Sequence, residues 1–173
     1  GLNGKFDYAT VKYDTNGNQL WVARYNGPGN SEDIALAIVT DKAEHVYVTG
    51  RSYALGNHFD YATVKYDTQG NQLWSARYND PKNGDDGAYS LALDIEGNLY
   101  VSGIAYTGFS GSKDGTVHVN SVTNVTIGVT HVLSKDDFTR EYEDFDYVTV
   151  KYDTDGNYLW RTRHKGGGRG ISD

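Results

Sequence analysis

The chain has 173 residues, is 38% hydrophobic and carries a formal net charge of −7, which suits one globular domain rather than a disordered chain. The acidic balance, with Lys and Arg spread along the chain, predicts that nucleic acid is not a partner, and no apolar stretch approaches the ~20 residues of a membrane span. There is no Cys, which excludes disulfide and thiolate chemistry.

The first predicted element is a β-hairpin over 6–25, which reads FDYATVKYDTNGNQLWVARY. Two runs rich in Tyr, Val and Thr flank the segment DTNGN, which is typical of a hairpin turn. In the run 8–13, aromatic and apolar groups point to both faces, as expected for a strand that is covered on both sides.

This hairpin recurs along the chain. Residues 59–78 repeat it with two changes, Asn16/Gln69 and Val22/Ser75, and 145–164 form a looser third copy. A different predicted hairpin precedes each later copy, and both examples contain an apolar run, an Asp, a turn and a V/L-Y-V-S/T-G segment: 34–50 and 89–103.

Four short strands over about fifty residues indicate one blade of a β-propeller. The predicted fold is therefore all-β, a single propeller-like repeat domain over 1–173. It comprises an outer hairpin (6–25), a full blade (34–78) and a second full blade (89–164). One blade cannot bury both of its faces, so blades must pack against each other.

The phrases DYATVKYDTxGNQLW and VYVTG resemble the SBBP repeat, a β-propeller repeat of bacteria and archaea. The resemblance covers most of the chain outside 109–144. It implies a propeller fold and, commonly, an exported protein in an extracellular or cell-surface setting. It implies no defined reaction and no catalytic residues.

Two and a half blades cannot close a ring, and open blades would leave apolar surface and strand edges in water. Three alternatives remain: part of a longer propeller, an open stack, or neighbouring chains that supply the missing strands in an oligomer or filament. The chain begins with Gly1 rather than Met, which predicts a processed form, a trimmed domain or a partial sequence.

The segment 109–144 is an insertion within the second full blade, between its inner and outer hairpins. Alternating Val and Ile residues in it are a strand signal. The insertion is therefore either a decorated loop or a projecting β-arm that docks on a neighbouring subunit or a ligand. Asn124-Val125-Thr126 forms an N-glycosylation sequon, so Asn124 is a candidate glycosylation site.

The three outer-hairpin turns resemble the start of a calcium-binding loop, since hard cations prefer several oxygen ligands, and Gln69 weakens the pattern in the second turn. The candidate ligands are Asp14, Asn16 and Asn18 in the first turn, and Asp153, Asp155 and Asn157 in the third. The pattern lacks a bidentate Glu at its twelfth position. The alternative is structural, because Asp, Asn and Gly also suit tight turns.

Other residues recur once per outer hairpin: Asp7, Asp60 and Asp146; Arg24, Arg77 and Arg163; Trp21, Trp74 and Trp160. An active site usually occurs once, whereas a scaffold contact occurs in each blade, so we interpret the Asp and Arg residues as architectural. The Trp residues are predicted to pack in the core or between blades; the alternative is a stacking platform for sugar rings.

The chain contains neither a His-x-Glu-x-x-His nor a Gly-x-Ser-x-Gly motif, and no catalytic residue or cofactor other than the calcium candidate is predicted. The functional prediction is a non-enzymatic extracellular structural or binding protein that self-assembles through unclosed blade edges. Its partners would be other copies of itself or further blades of a longer chain. The alternative is a carbohydrate-binding or glycan-active propeller with a site on the insertion face.

Overall fold

The computed structural model describes residues 5–56, 58–109 and 143–165. These residues form ten β-strands and no helix, which confirms the all-β prediction. The strands are β1 (Tyr8–Tyr13), β2 (Gln19–Tyr25), β3 (Asp33–Thr40), β4 (Val46–Tyr53), β5 (Phe59–Tyr66), β6 (Gln72–Tyr78), β7 (Gly87–Leu93), β8 (Leu99–Phe109), β9 (Glu143–Tyr152) and β10 (Tyr158–His164).

The strands form three antiparallel sheets in chain order. The first sheet contains β1 and β2, the second has the order β3-β4-β5-β6, and the third has the order β7-β8-β9-β10. All neighbours within a sheet are consecutive in sequence, so tight turns connect most of them. The three outer hairpins share a register shift beside the turn, between Lys12 and Tyr13, Lys65 and Tyr66, and Tyr158 and Trp160.

The sheets stack face to face and bury their apolar side chains between them. One cluster joins the first sheet, through Tyr8 and Tyr25, to β4 and β5 of the second. The other cluster joins the second sheet, through Tyr47 and Tyr61, to β7, β8 and β9 of the third. The middle sheet is therefore covered on both faces, and seven of the eight residues of β5 are buried.

Strand β1 differs from its repeat equivalent β5. The sequence predicts that both of its faces are covered, but Ala9 and Tyr13 are exposed. The reason is its position at the end of the stack, where no sheet of the described chain covers the outer side. The same local sequence therefore has different burial in the two copies.

Strands β8 and β9 of the second full blade extend into the predicted insertion 109–144. Pairing of β8 with β9 continues to Gly108↔Asp144 and Phe109↔Glu143, beyond an irregularity between Tyr106 and Gly108. The first and last residues of the predicted insertion therefore belong to strands. The rest of that insertion, with the glycosylation candidate Asn124, lies outside the described residues.

Candidate interaction site at the ends of the sheet stack

A tryptophan links the first sheet to the second. Trp21 on β2 donates a hydrogen bond from Nε1 to the carbonyl oxygen of Thr68 in the β5–β6 turn, at 3.0 Å. Its ring lies 6.2 Å from that of Tyr66, centroid to centroid. A β-carbon at Gly70 would be 2.7 Å from Cδ2 of Trp21, so the ring packs directly on the turn backbone.

The second and third sheets are joined in the same way. Trp74 Nε1 donates to the carbonyl oxygen of Thr154 in the β9–β10 turn at 3.1 Å, and its ring lies 6.5 Å from Tyr152. A β-carbon at Gly156 would again be 2.7 Å from the indole ring. We call this arrangement, in which a Trp covers the turn glycine and a Tyr of the next sheet, the Trp–turn contact.

Tyrosine hydroxyls add a second repeated link between sheets. Tyr8 donates to the carbonyl oxygen of Ala62 at 3.1 Å, and Tyr61, its equivalent, donates to Val148 at 3.3 Å. Both tyrosines are almost fully buried. Each buried hydroxyl therefore has a hydrogen-bond partner, a backbone carbonyl oxygen of the following sheet, as a buried polar group requires.

Buried aspartates fix the start of β3 and β7, the first strand of each four-stranded sheet. Asp33 Oδ2 accepts a hydrogen bond from the backbone N–H of Gly27 at 2.7 Å, and Asp86 Oδ2 accepts one from Asp80 at 2.6 Å. The backbone N–H groups of these two aspartates donate to the carbonyl oxygens of Phe6 and Phe59. The motif anchors each new sheet to the preceding hairpin, and none of the predictions from the sequence includes it. The signal was the repetition of N-x-x-x-N-x-x-D in the two linkers.

The recurring Asp and Arg residues form ion pairs in two copies. Arg77 lies 3.0 Å from Asp60, and Arg163 lies 3.2 Å from Asp146. Arg77 also donates to the hydroxyl of Tyr25 in the preceding sheet. In the next junction, Arg163 lies 2.8 Å from Asp80, and Arg161, which is not one of the recurring residues, donates to the hydroxyl of Tyr78. These side chains hold sheets together, in agreement with the architectural interpretation.

The third Trp occupies a different environment from the other two. All side chains of β10 are exposed, and 41% of Trp160 is accessible to solvent. The prediction that all three Trp residues pack in the core or between blades is therefore wrong for Trp160, because β10 lies at the end of the described stack. We call the exposed side of β10 around Trp160 the tail face.

The opposite end of the stack exposes the other half of the Trp–turn contact. Tyr13 is 57% exposed, whereas its equivalents Tyr66 and Tyr152 are 1% and 3% exposed. A β-carbon at Gly17 would meet no atom of the described chain within 4 Å. We call Tyr13 together with the β1–β2 turn, residues 14–18, the head face.

The calcium candidates lie in these turns, and their carboxylates are engaged there. Asp14 accepts three hydrogen bonds of 2.8 Å, from the backbone N–H groups of Asn16 and Asn18 and from the Asn18 side chain. The hydrogen bond from the Asn18 side chain, more than any other, lowers the pKa of Asp14. These are the contacts of a hairpin turn, and the side-chain amide of Asn18 is directed to Asp14 as a donor.

The third turn has the same geometry. Asp153 accepts hydrogen bonds from the backbone N–H groups of Asp155 and Asn157 and from the Asn157 side chain, which also lowers its pKa. Within 5–56, 58–109 and 143–165, no group of three or more His, Asp or Glu side chains is arranged to hold a metal ion. The geometry favours the structural interpretation of both turns.

A shallow groove of about 360 Å³ lies between the first and second sheets, beside the head face. Tyr13, Trp21 and Ile38 provide its apolar lining, and Lys12 and Glu44 form an ion pair of 3.0 Å at its side. The groove lies beside β1, which pairs only with β2. Its repeat equivalents β5 and β9 each pair with a second strand, β4 and β8 respectively. It is thus a part of the same incomplete end.

No protein-family model matches this chain, and no curated protein matches it in sequence. The resemblance to SBBP repeats consequently remains a prediction from the quoted motifs. In the part of the chain that the structure describes, there is no helix with the length and apolar character needed to cross a membrane.

Proposed function

We propose that this chain is a non-enzymatic structural repeat protein whose sheets pack as propeller-type blades, and that copies associate through the head and tail faces. The observation that carries the proposal is the Trp–turn contact. It forms at both internal junctions, between Trp21 and Gly70 and between Trp74 and Gly156, and its two unmatched halves are exposed at opposite ends of the stack.

The contacts between strands support the blade interpretation. Strand β7, the first and innermost strand of the third sheet, lies against β3 and β4, the inner hairpin of the second sheet. Inner strands that approach each other while outer strands remain apart are expected for blades arranged around an axis. The outer strands are instead linked by single long side chains such as Trp21 and Trp74.

The use of the polar groups supports a structural role. Arg77 and Arg163 form ion pairs with the recurring aspartates Asp60 and Asp146. The buried linker aspartates Asp33 and Asp86 accept hydrogen bonds from backbone N–H groups. None of these contacts requires a substrate. An extracellular or cell-surface setting is part of the proposal and is supported by the resemblance to SBBP repeats.

Sedimentation or light scattering across a range of concentrations tests the proposal. We expect species heavier than the 19.1-kDa chain at high concentration, and stronger association in sulfate salts, which favour burial of apolar surface. A chain that remains monomeric throughout contradicts the proposal. Binding on a glycan array would favour the carbohydrate alternative, whose predicted face lies in the insertion.

A further inference from the structure

We propose that copies associate head to tail, with Trp160 of one copy packed on Tyr13 and on the β1–β2 turn of the next. This inference rests on the proposed function and names the surfaces that it uses. The contact would repeat, between chains, the Trp–turn contact that joins the sheets within one chain. Its partner is a second copy of this chain.

The tail face presents its Trp in the arrangement seen inside the stack. Trp74 is held by Tyr47 of its own sheet, with ring centroids 5.9 Å apart and an interplanar angle of 67°. Trp160 is held by Tyr100 in the equivalent place, also at 5.9 Å and with an angle of 70°. The ring that would enter the contact is therefore already oriented, which reduces the entropy lost on binding.

The head face is equally preformed. The β1–β2 turn has the same backbone hydrogen bonds as the other two outer turns, from Asp14 N to Asn18 O at 2.9 Å and from Gly17 N to Asp14 O at 3.1 Å. The φ angles of Gly17, Gly70 and Gly156 are 84°, 87° and 83°. The turn that would receive Trp160 thus has the shape of the turns that receive Trp21 and Trp74.

The remaining parts of the contact correspond by position. Thr15 occupies the place of Thr68 and Thr154, whose carbonyl oxygens accept from Trp21 and Trp74. Tyr13 occupies the place of Tyr66 and Tyr152, which these Trp rings cover. Every group that the internal contact uses is therefore present, half on each end.

Because the two faces differ, the contact is heterologous, and each copy retains one unused face after the first contact. Association therefore continues into a linear array or closes into a ring. A symmetric dimer made of two identical patches is not expected. This property allows each face to be blocked separately.

Two substitutions block one face each. Trp160→Ala removes the ring from the tail face. Gly17→Asn places a β-carbon where Trp160 must pack, as the 2.7 Å approach at Gly70 shows, and Asn adopts positive φ more readily than most residues. Each variant alone should associate roughly thirtyfold more weakly than the unmodified chain, because a central Trp commonly dominates an interface.

Ile95→Ala is the matched control. Ile95 is 88% exposed in the β7–β8 turn, so its removal reduces exposed apolar surface without touching the head or tail face. We expect unchanged association for this variant. Circular dichroism and thermal unfolding of dilute samples confirm that each variant is folded, and Gly17→Asn keeps the test valid if Trp160→Ala is not.

Mixing the two blocked variants provides the sharpest readout. The Gly17→Asn chain retains a tail face and the Trp160→Ala chain retains a head face, so the mixture should form 1:1 heterodimers and nothing larger. Failure of the mixture to form dimers, or undiminished association of both variants alone, overturns the head-to-tail contact while self-association stands. An unmodified chain that is monomeric overturns the proposed function as well.

Discussion

Asp86 is a buried acid whose ionisation affects the stability of the fold. Its carboxylate accepts hydrogen bonds from the backbone N–H groups of Asp80 and Tyr106, at 2.6 and 2.9 Å. Burial raises the pKa of Asp86 from 3.8 to about 7, and the nearby carboxylates of Asp80 and Asp60 raise it further against the effect of these hydrogen bonds. The folded protein therefore holds a proton there at pH values at which the unfolded chain has lost it.

This difference predicts that stability decreases as pH rises from about 4 to about 7. The difference between 3.8 and about 7 corresponds to roughly 4 kcal/mol in the free energy of unfolding. Asp86→Asn should flatten the pH dependence in this window, measured by chemical denaturation at low protein concentration. Glu96→Gln, on an exposed turn, controls for the loss of one carboxylate and should retain the slope. Equal slopes in all three proteins would refute the assignment.

The turn aspartates act in a separate pH range. Hydrogen bonds lower the pKa of Asp14, Asp67 and Asp153, so their contribution to stability is present above their ordinary pKa and is lost as pH falls below it. Because this range lies below the window of Asp86, the comparison with Asp86→Asn is not affected by them. Stability is expected to be highest at mildly acidic pH.

The two linkers show what sequence repetition does not reveal at the residue scale. A β-carbon at Gly27 would be 2.9 Å from Asp33 Oδ1 and would overlap Ser52 Oγ. In the next linker, Asp80 occupies the place of Gly27 and binds Arg163 at 2.8 Å, and Ala105 replaces Ser52. The smaller side chain of Ala105 leaves room for the side chain of Asp80, so the two differences compensate each other. Neither position is adjacent to the other in sequence, so only the packed sheets connect them.

At the scale of the elements, comparison of the three outer turns isolates the effect of the Trp–turn contact. Gly17, Gly70 and Gly156 all have positive φ, but only the last two lie under a Trp ring. Ala at Gly17 should destabilise by about 1 kcal/mol, the conformational penalty alone. Ala at Gly70 or Gly156 should cost about 2–4 kcal/mol, because the ring must also move. Urea denaturation of dilute samples measures the difference, and three equal values would contradict the packing argument.

Much of the element level could be predicted from the sequence. Alternating Tyr, Val and Thr runs around Asp-x-x-Gly-Asn turns indicate the hairpins, and their repetition indicates four-stranded units. Burial at the ends could not be predicted, since Tyr13 and Tyr66 lie in nearly identical segments yet differ from 57% to 1% exposure. Local sequence determines the hairpin, whereas the presence of a neighbouring sheet determines which faces are covered.

At the scale of the whole molecule, burial is uneven along the stack. The middle sheet is enclosed between the first and third sheets, and β5 is buried along nearly its whole length. The first sheet has only two strands, and the side chains of β10 are all exposed. Local opening should therefore begin at the two ends and reach β4 and β5 last.

Hydrogen exchange can detect both the difference in local opening along the stack and its change on association. In dilute samples, we expect the strongest amide protection in β4 and β5, and the weakest in the β1–β2 hairpin and β10. At concentrations that produce larger species, protection should rise in the β1–β2 turn and β10, because Trp160 then covers the turn and the two ends shield each other. The β5–β6 turn, which Trp21 already covers within each copy, should not change and is the internal control. Association that leaves exchange at both ends unchanged would show that copies meet through other surfaces.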